Sequence, residues 1–330
     1  MKNMRNQFIK LLNIHATSGN EKPVRKYLKP ILEHLMDTVR VDEYGNLLAD
    51  KKVGNGNGAT VLLSAHMDTV KGVLVDRQLI ETEDGIIMSD KGALGADDRG
   101  GIAIILTVLR NLEQLNFNGH IKVAFSREEE VGCVGAGKID EEWYKSTDLA
   151  IVVDRRGNRD IVVGCGMAFC SDSVGYFMQD VSKMADMDWK CVEGGISDAM
   201  VFAEEKVNSI NVSAGYYNEH TASEYASLDE MGDTVKLIMQ TIAVINQFYT
   251  TFEAVGNENE WSKAWYPKSG YDYSYYEDGF DGDIWAEEID PNGDIYVYET
   301  GTEVVIQQND QEVLLSRQAL KSIMKQLNHI

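Results

Sequence analysis

Basic residues are scarce in this 330-residue chain: 31 Lys and Arg stand against 53 Asp and Glu, a formal net charge of −22. A surface of that sign repels phosphate backbones, which excludes nucleic acid as a partner. Long apolar runs are also missing. None approaches the roughly 20 residues that span a bilayer, so no association through a membrane helix is expected. The opening residues, Met1-Lys2-Asn3-Met4-Arg5-Asn6-Gln7-Phe8-Ile9, turn polar too soon for a secretory signal, and the expected location is cytoplasmic. The four cysteines, Cys133, Cys165, Cys170 and Cys191, make no CxxC pair and no small-scaffold spacing. Free thiols in a reducing compartment are the simplest expectation, and a better metal-ligand set than these exists elsewhere.

What the chain does hold is an alternation of helical and strand patterns over residues 5–255. An amphipathic stretch (Phe8, Leu11, Leu12) precedes a second helix carrying Val24, Tyr27, Leu28, Ile31, Leu32 and Leu35, with Ser18 or Asn20 as its expected N-cap. A hairpin follows, Val39–Val41 with Leu47–Ala49. Buried strands are expected at Val61–Leu63, Ile121–Phe125, Leu149–Val153 and Ile210–Val212, with helices near 100–115, 171–185, 197–205 and 227–252. The predicted fold class is α/β, a mixed, mostly parallel sheet flanked by helices, whose ligands gather at the carboxyl ends of its strands. After residue 255 the composition shifts to Trp, Tyr, Asp and Glu, followed by short alternating segments and an apolar-faced helix from Ser316. The expected division is therefore a domain at 1–255 and a small β-meander-plus-helix appendage at 256–330.

Five segments carry candidate chemistry. In Ser64-Ala65-His66-Met67-Asp68, two residues two apart at a strand end can project to one side, with Asp68 placed to orient a metal-binding His66. Alone, the pair is a weak signal and reads first as a polar strand end. In Gly95-Ala96-Asp97-Asp98-Arg99, an N-cap explains one carboxylate but not the second, since adjacent like charges in a tight turn repel without a cation. Glu128-Glu129-Glu130 closes a buried strand, where one carboxylate can bind an ion while its neighbour accepts a proton, or the run can be a solvated acidic turn. Asp154 ends the strand Ile151-Val152-Val153, and His220 follows another strand in Asn218-Glu219-His220. His15, His34, His120 and His329 fall in helical or surface contexts.

In order and wording these segments resemble the superfamily of two-zinc exopeptidases that includes peptidase T, its lid-bearing relatives and the compact bacterial aminopeptidases. The resemblance covers about residues 8–252 and extends to Ala16-Thr17-Ser18-Gly19-Asn20-Glu21, Asp42-Glu43-Tyr44-Gly45-Asn46-Leu47 and Gly194-Gly195-Ile196-Ser197-Asp198-Ala199. It implies two divalent metal ions, zinc with manganese or cobalt as alternatives. It further implies that His66 and Asp154 complete one metal's shell and Glu130 and His220 the other's, with Asp97 bridging both. Glu129 is then the general base, Asp68 orients His66, and the Asp97–Asp98 peptide is often cis in such proteins. The implied activity is hydrolysis of short peptides from one end, an aminopeptidase first of all. A deacylase of N-acyl amino acids or a carboxypeptidase on the same site is an alternative, as is a non-catalytic metal-stabilised binding protein.

The chain departs from the pattern in two places. Only 66 positions separate Asp154 from His220 (220 − 154) and 31 separate His66 from Asp97 (97 − 66). Neither interval accommodates an inserted lid or dimerisation domain of about a hundred residues, so a homo-oligomer would not use that element. The appendage has no family counterpart and reads either as an arm over the site or as a self-packed cap. Arg155 and Arg156, next to Asp154, either pair with the acidic surface or clamp a substrate carboxylate.

Overall fold

The computed structural model describes residues 2–261 and the backbone of four strands beyond them, at 287–288, 295–300, 303–308 and 311–316. The chain divides into two compact units, Met1–Tyr266 and Pro267–Ile330. The first begins with the two amphipathic helices, α1 (Lys2–Leu12), burying Met4, Phe8, Leu11 and Leu12, and α2 (Lys22–Leu35), burying Val24, Leu28 and Leu32. Their spacing of three and four residues sets one apolar stripe against the core. The residue at the N-cap of α2 is Glu21, not Ser18 or Asn20, and it makes no side-chain cap bond. Ser18 turns its hydroxyl to Asp68 instead, at 2.8 Å.

An eight-stranded sheet forms the centre. Its strands are β1 (Thr38–Val41), β2 (Leu47–Val53), β3 (Thr60–His66), β6 (Gly119–Ser126), β7 (Leu149–Arg155), β8 (Asp160–Gly164), β9 (Lys190–Glu193) and β10 (Ser209–Ser213), numbered with the strands β4 (Leu79–Glu81) and β5 (Ile86–Ser89) of a second sheet. Their order is β1-β2-β6-β3-β7-β10-β8-β9. The four adjacent strands β6, β3, β7 and β10 run parallel, as do β8 and β9, while the remaining pairings are antiparallel. The sheet is thus mixed. Successive side chains point to opposite faces: Val61, Leu63 and Ala65 of β3 and Leu149, Ile151 and Val153 of β7 join one buried cluster, Leu62, Ala150 and Val152 the other.

Helices cover both faces. α3 (Ala96–Asn111), α5 (Asp172–Met184) and α7 (Leu228–Val244) pack with α1 and α2 into the larger cluster. Tyr144 of α4 (Glu141–Tyr144) and Ala199, Phe202 and Ala203 of α6 (Asp198–Glu204) cover the other face. The run Ile102–Leu106 of α3 is buried on every side. The sequence expectations do not include β8 and β9 or the second sheet, β11 (Tyr216–Tyr217), β12 (Tyr225–Ser227), β5 and β4 in that order, all of five residues or fewer. His120 lies on β6, half-buried.

Residues 256–261, which composition groups with the appendage, are stitched to the first unit. Buried Asn259 donates to the carbonyls of Val163 (2.7 Å) and Cys170 (3.2 Å), the Asn257 carbonyl accepts from Ala168 N (3.2 Å), and the Trp261 ring packs tilted against Tyr176 with centroids 5.3 Å apart. In the second unit the described strands β13 (Glu287–Glu288), β14 (Ile295–Thr300), β15 (Glu303–Gln308) and β16 (Gln311–Ser316) pair antiparallel in sequence order, the expected meander. The helix expected from Ser316 lies outside the described residues, as do His329 and most of the Tyr/Trp-rich segment.

Candidate metal centre

The carboxyl ends of β6, β3 and β7 open on one edge of the sheet, and the candidate residues converge there. His66 is the last residue of β3 and stands opposite Ser126, the last of β6. Glu128, Glu129 and Glu130 follow directly, and Asp154 lies near the end of β7. Asp97 comes from the start of α3, which can lie close to β7 because Gly101 has no side chain: a Cβ there would stand 1.9 Å from the Val153 carbonyl oxygen. His220 belongs to the loop between β11 and β12, with a left-handed φ of 65° beside Asn218 at 54°. His and Asn tolerate that region better than most residues.

Asp97 sits between the two imidazoles. Its Oδ1 is 2.9 Å from His66 Nε2 and its Oδ2 is 3.2 Å from His220 Nε2. Asp154 Oδ1 lies 3.4 Å from His66 Nε2, and Glu130 Oε2 lies 2.7 Å from His220 Nε2. Glu129 Oε2 approaches His66 Nε2 at 3.8 Å. Each half of the site thus offers one imidazole and one carboxylate, with Asp97 common to both. The Asp97–Asp98 peptide is cis.

A layer of buried groups holds these side chains. The Asp68 carboxylate accepts from Ser18 Oγ (2.8 Å), Glu129 N (3.1 Å) and Glu130 N (3.3 Å), and its Oδ1 stands 3.3 Å from His66 Nδ1. Asp98 accepts from the His66 amide (3.2 Å) and the Gly101 amide (2.9 Å), so the helix-cap reading of the Asp97–Asp98 pair holds for its second member. Glu224 accepts from the amides of Gly95 (2.9 Å), Ala96 (2.7 Å) and Asp97 (3.2 Å). Tyr216 donates to Asp154 Oδ1 (3.1 Å), and Asn211 Oδ1 accepts the Asp154 amide (3.0 Å). Beneath them the buried Arg99 donates to the Met67 carbonyl.

Such a concentration of charge is costly. Burial pushes Asp154 up to about 7 and Glu130 to about 6, the Asp97 charge adding to both, and burial followed by Asp154 raises Glu129 well above the carboxylate range. Burial disfavours a charged His66 and a charged His220. The neighbouring carboxylates nevertheless raise both, His66 well above its ordinary value and His220 to about 12, while Asp97 falls below the carboxylate range between them. Protons gather where positive charge is needed. Glu130 Oε1 is buried with no hydrogen-bond partner. Oxygen and imidazole donors, excess negative charge and an unpartnered carboxylate oxygen fit divalent cations, which would replace those protons. Two His/carboxylate groups have their ligand atoms within 4.8 Å of one another, His66 with Glu129 and Asp154 and His66 with Asp97 and Glu130; Glu129, Cys133 and Asp198 form a further group.

Arg155 and Arg156 both have acidic partners. Arg155 donates to Asp160 (3.3 Å), and Arg156, 60% exposed at its side chain, donates to Glu219 beside His220 (2.8 Å). Glu224, Tyr216 and Arg99 carried no sequence reading of their own.

A mixed sheet with imidazoles and carboxylates gathered at the ends of its parallel strands is the architecture of the two-metal exopeptidases. Residues 71–237, slightly more than half of the chain, match the profile of the M42 glutamyl aminopeptidase family, and the chain belongs to that family. The matched span contains Asp97, Glu129, Glu130, Asp154 and His220, while His66 and Asp68 precede it. Peptidase T of Halothermothrix orenii is 30% identical over 179 residues, covering 42% of each chain, and Peptidase T of Clostridium botulinum is 29% identical over 210 residues, 48% of this chain and 49% of that one. The chain spans less than half the length of these curated relatives. The fold is shared with the crystal structure of aminopeptidase PepT from Bacillus cereus (TM-score 0.66, 18% identity, 73% of this chain and 98% of that one). It is also shared with an aminopeptidase from Desulfurococcus kamchatkensis (TM-score 0.61, 19% identity, 77% and 99%).

Proposed function

We propose that this chain is a metal-dependent exopeptidase, most specifically an aminopeptidase acting on short peptides. His66, Asp154, Glu130 and His220 would hold two divalent ions, zinc by donor type with manganese or cobalt as alternatives, and Asp97 would bridge them. The observation that carries the reading is Asp97, whose two carboxylate oxygens are shared out between two imidazoles, at 2.9 and 3.2 Å. When bound, such ions polarise a scissile carbonyl and make water acidic enough to attack it. Glu129, 3.8 Å from His66 Nε2 and adjacent in the chain to Glu130, would take the proton of the attacking water and return it to the leaving amine. Asp68 fixes the His66 ring and, through two amides, the Glu129–Glu130 backbone. Asp154 is steadied by Tyr216.

The M42 family description points to peptide amino termini and to acidic side chains. Arg156, whose exposed side chain pairs with Glu219 next to His220, would be a cation to meet a substrate carboxylate, while Arg155 is paired with Asp160. Residues 67–96 and 155–219 hold only the short elements given above and no inserted domain, so any self-association uses another surface. No helix among the described residues is long and apolar enough to cross a membrane, and a cytoplasmic site of action is part of the proposal. The test is hydrolysis of a panel of free, N-acylated and C-amidated short peptides by metal-loaded protein, with Glu129→Gln as control. Cleavage of free and amidated peptides supports an aminopeptidase. Cleavage only of N-acylated substrates, or only of those with a free carboxylate, would replace it with a deacylase or a carboxypeptidase.

A further inference from the structure

The third cluster shares the candidate base, Glu129, and adds two side chains that the reaction does not use, Cys133 and Asp198. After Glu129 the chain turns back tightly, the Glu129 carbonyl accepting from Gly132 N and Cys133 N, both at 2.8 Å, with Cys133 in the left-handed region at φ 56°. The turn lays the Cys133 thiol on Glu129, Sγ donating to Oε1 at 3.3 Å. From the start of α6, Asp198 reaches the same point. It is 1% exposed and accepts from Ser126 Oγ at 2.5 Å through Oδ2, while its Oδ1 is buried and has no hydrogen-bond partner. One donor atom from each of Glu129, Cys133 and Asp198 lies within 4.8 Å of the other two.

We infer that Glu129, Cys133 and Asp198 form an inhibitory site for a soft divalent cation, distinct from the pair around Asp97. A thiolate with two carboxylates suits zinc in excess or cadmium and discriminates against magnesium and calcium. Binding releases the Cys133 proton to solvent and forms a metal–sulfur bond, and the cation's charge is met by the thiolate, by Glu129 and by the unpartnered Asp198 oxygen. The inhibitory consequence rests on the proposed role of Glu129: a carboxylate engaged by a cation cannot accept a proton from water. The site would make the protein active with its two ions and inactive with a third.

The test uses the full chain loaded with its two ions and titrated with cadmium chloride, reading bound cadmium, thiolate-to-cadmium ultraviolet absorption and peptide hydrolysis together. The wild-type protein should take up one further ion with the absorption band while hydrolysis falls in step. Cys133→Ala should lose the band. Because loss of a group that merely supports a ligand already costs about 10–100-fold in metal affinity, Cys133→Ala and Asp198→Asn should each need at least about tenfold more cadmium for the same inhibition. Persistence of band and inhibition at unchanged cadmium in Cys133→Ala would overturn the site, as would inhibition of the wild type with no band. Should no peptide be cleaved at any metal loading, the peptidase reading fails, and the band and stoichiometry still decide the third site.

Discussion

Replacing Asp68 by Asn keeps the shape of the side chain and exchanges one oxygen for an NH2 group. Asp68 accepts from Ser18 Oγ, Glu129 N and Glu130 N and faces His66 Nδ1. The arrangement of least cost leaves the carbonyl oxygen toward Glu129 N and His66, and turns the NH2 to Ser18, whose hydroxyl can rotate to accept. Glu130 N then meets a donor, a loss of about 1–3 kcal/mol at a buried amide. Removing the negative charge behind His66 also lowers the basicity of its other nitrogen, worth about 10–100-fold in metal affinity. Ser18→Ala, which deletes one neutral donor, should cost about 1 kcal/mol and little metal affinity. Burial alone would raise the Asp68 carboxyl, but the bonds from His66 and Ser18 hold it below its ordinary range. Its contribution to stability is therefore complete above the unfolded-chain value near pH 4 and is lost as pH falls through the lower folded value. Urea unfolding of the metal-free protein and competition against a chelator measure the two terms separately. An Asp68→Asn protein that matched wild type in both, and in peptide turnover, would refute the orienting role.

Glu224→Ala leaves the amides of Gly95, Ala96 and Asp97 unpartnered at a buried helix start and should cost about 3 kcal/mol or more, while Glu224→Gln, which keeps one oxygen, should cost less; both are read by urea unfolding. Gly101→Ala should raise stability by about 1 kcal/mol on helix propensity alone, yet its Cβ would overlap the Val153 carbonyl oxygen. The overlap wins, and thermal unfolding should show a loss of about 3 kcal/mol or more. Asn259→Ala strips a shared donor from the Val163 and Cys170 carbonyls and should cost about 1–3 kcal/mol. An unchanged midpoint would mean that residues 256–261 do not stabilise the first unit.

The parallel core of the sheet was legible because β3, β6 and β7 carry short apolar runs and β10 alternates Ile210 and Val212 with polar residues, each followed within a few residues by a charged or polar segment. The short strands β9, β11 and β12 carry too few residues for a period-2 pattern to stand out. Among site residues, His66 and Asp154 could be read from strand ends, and Asp97 from a doubled carboxylate that one cap could not explain. Grouping them into two metal shells came from the family resemblance. Glu224 was not legible: it acts 127 positions along the chain from Asp97, through backbone amides that leave no mark on residue type. Ser18 misled for a related reason, since its hydroxyl satisfies a carboxylate 50 positions away in preference to the nearby helix start.

The proposed joining of two metal shells by Asp97 sets how much metal the chain holds. Metal content per chain, measured by mass spectrometry after dialysis against a weak chelator, with peptide hydrolysis followed on the same samples, tests it directly. Wild-type protein should hold two ions, lose hydrolysis when a strong chelator removes them and regain it on their return. Asp97→Asn should retain fewer ions and no measurable hydrolysis. Full hydrolysis by a chain that holds no metal, or an Asp97→Asn protein with both ions and unchanged turnover, would contradict the account.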